Sequence, residues 1–248
     1  MPSFNIISLL LFSAFGAEVL GTMAGFGSAT VLTPIASWFL PIKTAVALVA
    51  CFHLFGNVSR VFFFRQHINW TIVKQFGMPG ILLSFVGAQA ASWLSPQYIR
   101  MCLGGFLLVY VFMELRQATS ARLPATTTTL VLGGMASGVI AGLIGTGGAI
   151  RSVCLLAFGL PKETYIGTSA VIALMVDATR LPVYLMQGFL PTNLVPVLAS
   201  LTVVAFCGVW IGQRLVRRVS PVYFKRFVLL MLFAIGIKLV VDGTRGLG

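Results

Sequence analysis

A chain of 248 residues that is 58% hydrophobic and only 9% charged, with a mean hydropathy of +1.00, does not read as a soluble domain but as a polytopic membrane protein. Its 17 Lys and Arg against 5 Asp and Glu give a net charge of +12. Most of these cations flank apolar runs, where loop bias and lipid headgroups account for them, so membrane lipids are expected neighbours and nucleic acid is not. Cys51, Cys102, Cys154 and Cys207 all lie in apolar segments without CxxC spacing; they indicate neither a disulfide framework nor a zinc site and read as small buried residues.

The first element is an apolar stretch over residues 4–39, broken at Gly21–Gly27. Its start, Met1-Pro2-Ser3-Phe4-Asn5, has no basic n-region and no clear cleavage site, so it reads as part of the first helix rather than a removed signal. About 35 residues of helix would measure roughly 52 Å against a hydrocarbon core of roughly 30 Å, so a broken hairpin fits better than one straight span. Segments 42–64, 70–93 and 97–115 follow, the first two joined by the polar link Arg65-Gln66-His67-Ile68-Asn69 and the last two by Ser95-Pro96. Residues 116–129, rich in Thr, Ala and Arg, are the one true linker; 130–158 is a second apolar stretch broken at Gly145–Gly148, and 162–187, 192–216 and 221–241 complete the chain. Pro41, Pro161, Pro191 and Pro221 stand near segment starts, where a missing N–H costs nothing.

The chain repeats itself at a spacing of 120 residues. Gly25, Gly27 and Ala29 fall on Gly145, Gly147 and Ala149; Leu40-Pro41 and Thr44 fall on Leu160-Pro161 and Thr164; Asn57 and Arg60 fall on Asp177 and Arg180. This divides a single integral membrane domain into repeat 1 (1–115), the linker (116–129) and repeat 2 (130–242). The expected fold is all-α: two inverted repeats, each a glycine-broken hairpin, re-entrant or spanning, plus three transmembrane helices. Loop charge carries the inversion. If each broken element leaves on the side it entered, the links with Arg65 and Lys74, Arg116 and Arg122, and Arg214, Arg217 and Arg218 share one face. The uncharged N-terminus and the 94–97 and 187–191 turns then share the other, which puts both termini outside. Lys43 and Arg245 count mildly against this arrangement.

The two glycine clusters, Gly25-Phe26-Gly27-Ser28 and Gly145-Thr146-Gly147-Gly148, unwind helices at membrane depth, which is tolerated only around protein or a cavity. The short helices after them would aim N–H groups and the positive dipole end at a bound anion, and paired breaks of this kind mark a transporter's binding site. Arg151, just past the second break, would complete an anion site, or else pair with a buried carboxylate; at the matching place in repeat 1 stands Val31, with Ser28 and Thr30 offering hydroxyls. Asn57/Arg60 and Asp177/Arg180 are i,i+3 pairs on apolar helices. They read either as anion-attracting pairs lining a central path, or as an intrahelical ion pair in repeat 2 and a snorkelling Arg60 in repeat 1. Glu18, His53 and Asp177 are candidates for proton coupling; Glu18 is alternatively an arginine's partner or near the surface, and His53 alternatively just hydrogen-bonded. Gly87-xxx-Ala91 and Gly208-xxx-Gly212 read as close helix packing. No Walker A loop, HExxH or paired-carboxylate motif occurs, so neither an enzyme nor a metal site is expected.

The glycine-rich break Gly21-Thr22-Met23-Ala24-Gly25-Phe26-Gly27, its echo Ala141-Gly142-Leu143-Ile144-Gly145-Thr146-Gly147-Gly148, and the Leu-Pro-x-x-Thr elements at 40–44 and 160–164 resemble the TauE/SafE sulfite exporter family, also called the toluene-sulfonate uptake permease family. The resemblance covers about Asn5 to Val241, with Phe26-Gly27-Ser28 departing from the more glycine-rich family pattern. It implies a bacterial inner-membrane carrier of sulfite, sulfonates or other small organic anions, without a cofactor. An anion channel or a non-transporting accessory membrane protein is the alternative. The sequence leaves the anion, the direction, the coupling ion and the oligomeric state open, a homodimer included.

Overall fold

The computed structural model describes residues 4–24, 27–115, 123–215 and 221–245, with backbone alone at residues 4, 24 and 221–228. The expectations for Gly25, Phe26, Arg116, Arg122, Arg217 and Arg218 therefore concern positions outside the described residues. Among the described residues all regular structure is helical: α1 (Phe4–Ala24), α2 (Ala29–Ala36), α3 (Ile42–Phe64), α4 (Trp70–Trp93), α5 (Pro96–Leu115), α6 (Thr127–Ile144), α7 (Gly148–Leu156), α8 (Lys162–Met186), α9 (Val195–Leu215) and α10 (Pro221–Arg245). Seven of these are long and apolar enough to cross a membrane: α1, α3, α4, α5, α6, α8 and α9, the last counted from Thr192.

Local chemistry explains the ends. Pro41 and Pro161 cap α3 and α8, and α5 begins on Pro96 itself. The second apolar stretch starts three residues earlier than its hydropathy suggests, because the Thr126 hydroxyl accepts from the Thr129 N–H and caps α6. Inside α4, Val73–Gly77 form a π-turn that apolar periodicity does not reveal. Both breaks are real. α6 ends on Gly145 at φ +86°, and α2 is approached through Gly27 at φ +88°, conformations that glycine adopts without penalty. α2 has 8 residues and α7 has 9, so at 1.5 Å per residue each is about 12–14 Å long, under half the hydrocarbon thickness.

α3 and α8 form the centre, with 67% and 56% of their most apolar windows buried, against 28% for α5. They run antiparallel: Lys43 lies over the Phe189 ring just past the end of α8, Asn57 meets Asp177 halfway, and Gly167 packs against the Phe64 carbonyl at the far end. The remaining pairings exchange the two halves. α4 lies on α6, and α9 lies on α1. α5 pairs with α10, its equivalent in the other half. Glycines set these contacts: Gly208 and Gly212 of α9 sit on Glu18 and Thr22 of α1, and Gly87 of α4 sits on the α6 backbone at Val139. The small-residue stripes thus pack helices, as their spacing indicates. Cysteine behaves less uniformly than expected. Cys51 and Cys154 are buried, but Cys102 and Cys207 are exposed, on outward faces that also present Phe112, Val203 and Phe206. Such apolar faces suit lipid, so an apolar segment does not by itself place a residue inside the protein.

Candidate polar site at the glycine breaks

Buried polar residues concentrate where α2 and α7 begin. Thr30, one residue into α2, and Thr146, in the second break, share a hydrogen bond of 2.7 Å between their hydroxyls. The first break thus touches the second across the two halves. Gly27, Ser28, Gly145, Gly147 and Gly148 are all buried around this junction. Ser137 of α6 donates to the Gly147 carbonyl at 2.8 Å, which also accepts the Arg151 N–H at the start of α7, so α6 is tied to the second break.

Beside this junction lies a small cleft lined by Thr22, Gly27, Asn57, Arg60, Arg151 and Ser169, with Gly21, Ile166 and Ala170 completing its wall. Four of the residues singled out from sequence, Gly27, Asn57, Arg60 and Arg151, come together here. Thr22 and Ser169 were not singled out; the available signal was a hydroxyl within an apolar helix, and for Ser169 the adjacent Thr168.

The three buried arginines are held differently. Arg60 uses its whole guanidinium: Nη2 donates to Glu18 Oε1, Nη1 to Asn57 Oδ1 at 2.8 Å and Nε to Thr22 Oγ1 at 3.2 Å. It is 4% exposed, so it does not snorkel. Arg180 lies outside the cleft. Its Nε and Nη2 grip Asp177 Oδ1 at 3.0 and 2.7 Å, and Nη1 donates to the Ala141 carbonyl at 2.5 Å near the end of α6. The Tyr184 hydroxyl donates to the next carbonyl, Gly142. Ala141 already accepts the Gly145 N–H, so Arg180 and Tyr184 add side-chain donors to the carbonyls of the last turn of α6. Arg151 is different again. It is 5% exposed, its Nε donates to Ser169 Oγ at 2.8 Å, and among the described residues it makes no ion pair. The alternative in which it pairs with a buried carboxylate is not what the described residues contain.

His53 and Asp177 meet between α3 and α8, Nδ1 to Oδ2 at 2.8 Å, and Asn57 Nδ2 reaches the same oxygen at 3.2 Å. The other imidazole nitrogen, Nε2, is buried without a partner, as are Ser28 Oγ and Glu18 Oε2. A Cβ at position 27 would lie 2.8 Å from His53 Nε2 and 3.4 Å from Arg151 Nη2. Only glycine leaves room there for both groups to look toward the same space. A buried guanidinium with no ion pair among the described residues, an unpartnered imidazole nitrogen and hydroxyls thus surround the glycine break.

At least seven membrane-capable helices around a polar centre with interrupted helices define a multi-pass membrane protein with the build of a transporter. The chain belongs to the sulfite exporter TauE/SafE family, whose family model matches residues 10–239. No curated protein matches the chain.

Proposed function

We propose that the protein is a secondary carrier of small anions, such as sulfite, sulfonates or related organic anions, in a bacterial cytoplasmic membrane. It would work by alternating access around the cleft at Gly27, Asn57, Arg60 and Arg151. The observation that carries this reading is Arg151: a buried cation facing a polar cleft with no carboxylate against it. A charge in that state is costly unless a counter-ion arrives, and the anion is that counter-ion. Family membership supports the substrate class.

On this reading the two halves are inverted repeats, and their broken hairpins are re-entrant. The antiparallel run of the equivalent helices α3 and α8 supports the inversion, and the short reach of α2 and α7 supports the re-entrance. Both termini then face outside and the basic links face the cytoplasm.

The test is transport by proteoliposomes. Labelled sulfite and short sulfonates should show saturable uptake and counterflow. Arg151→Ala should lose substrate binding, with a deficit of about 2–5 kcal/mol for a buried charge-assisted contact. Wild-type affinity in a folded Arg151→Ala protein would move the anion elsewhere, and non-saturable flux would make the protein a channel.

A further inference from the structure

Three carboxyl and imidazole groups lie near the cleft, and two are already committed. Glu18 of α1 is bound by Arg60 of α3, and Asp177 of α8 is bound by Arg180 of the same helix. Glu18 Oε2 and His53 Nε2 are both buried and unpartnered, but Oε2 lies against Gly56, whereas Nε2 lies beside Gly27 and Arg151 at the cleft. The groups facing it complete the electrostatic setting: Asp177 from α8, Arg151 from α7, Glu18 from α1 through Arg60, and Asn57 and Arg60 from its own helix.

The Asp177 contact fixes the tautomer. Arg180 grips Oδ1 by two donors and Asn57 donates to Oδ2, so Asp177 is held as a carboxylate, which only accepts. The His53 atom 2.8 Å from it, Nδ1, must therefore carry the hydrogen. Neutral His53 then presents a bare lone pair at Nε2, and a lone pair repels the oxygen of an anion. Adding one proton at Nε2 turns that atom into a charged N–H donor beside the Arg151 guanidinium, and an oxyanion can then bridge the two.

Resting on the anion-carrier reading, we infer that His53 is the proton-binding residue of this site and that a small oxyanion is taken up together with one proton held on His53 Nε2. The proton comes from solvent and remains on nitrogen; no covalent bond to the anion forms. A monoanion and its proton together add no net charge to the buried centre, so the loaded cleft carries the same charge as the empty one. Asp177 is then a positioning residue, because it acts only through the imidazole.

Isothermal titration of the purified full chain with methanesulfonate tests this directly. That anion stays deprotonated at working pH, so any proton taken up binds to protein. Titrations in two buffers of different ionisation enthalpy should return about one proton absorbed per anion above the imidazole's titration range. Affinity should fall about tenfold per pH unit there, because binding must then draw a proton from an ever scarcer pool. His53→Gln, which offers a permanent N–H donor in place of a titrating one, should show no proton uptake and a flat pH profile. Saturable methanesulfonate binding by the wild type without proton uptake overturns the inference while leaving the carrier reading standing. Persistent uptake in His53→Gln overturns it too and assigns the proton to another group. Failure of the wild type to bind sulfite and all sulfonates sinks the carrier reading itself. If His53→Gln does not fold, His53→Asn serves as the second variant with the same expected loss of proton uptake, and absent uptake in the wild type overturns the inference without any variant.

Discussion

Arg60 and Arg180 occupy equivalent positions in the two halves, and each joins its spanning helix to the broken helix of its own half. They do so with different chemistry. Arg60 reaches α1 through the carboxylate of Glu18 and the hydroxyl of Thr22, so an ion pair crosses between two elements. Arg180 takes its carboxylate from Asp177, one turn back on α8, and reaches α6 through the backbone carbonyl of Ala141. At the place in repeat 2 that matches Glu18 stands Gly138, which packs on Gly80 of α4. One half therefore ties its broken hairpin down with an ion pair between helices and the other with side-chain donors on backbone carbonyls. In the second half the ion pair moves with α8 as a unit; in the first, sliding α1 against α3 separates opposite charges. The half that contributes Arg151, which makes no ion pair among the described residues, is the half whose hairpin is held without an ion pair between helices.

That contrast can be broken from either side. The largest effect is expected from Arg180→Ala. It strands Asp177 as a buried unpaired charge and removes a donor from Ala141, and it should cost about 3–5 kcal/mol in unfolding measured in detergent. Pairing Glu18→Gln with Arg60→Ala in a double-mutant cycle should expose a coupling of up to about 3 kcal/mol across α1 and α3. A cycle giving no coupling would erase the distinction between the halves. Gly27→Ala is expected to cost about 1–2 kcal/mol for a left-handed backbone at a residue with a Cβ, and to weaken anion binding because that Cβ sits between His53 and Arg151. Thr30→Val is the mildest change. Loss of the hydroxyl contact to Thr146 should cost about 1 kcal/mol, and thermal unfolding reads it.

Much of this architecture is written locally. Glycine clusters within apolar runs marked both breaks, and prolines marked the helix starts. The i,i+3 spacing of Asp177 and Arg180 already places both on one face, and the pair forms. What sequence left open was which of its alternatives the long-range contacts select. The Glu18–Arg60 pair spans 42 residues and the His53–Asp177 contact spans 124; both depend on how far each helix is rotated and how deep it sits. The internal repeat offered no help with His53 or Ser169, whose matches are Ala173 and Val49. Symmetry points to what the halves share, and these residues belong to one half only.

At the end where α3 begins and α8 finishes, Gln187 donates to Gln89 across the two halves at 2.7 Å, and Lys43 donates to the Ser92 carbonyl at 3.1 Å. The Gln187–Gln89 closure is a neutral amide pair. A neutral hydrogen bond contributes about 0.5–1.5 kcal/mol net, whereas breaking a buried ion pair costs about 3–5 kcal/mol. In Boltzmann terms a bond of the first kind parts in roughly one molecule in ten at any instant, and one of the second in fewer than one in a hundred. Thermal agitation alone therefore samples separation of this amide pair far more often than separation of Glu18 from Arg60. Of the two contacts, the amide pair is the weaker closure.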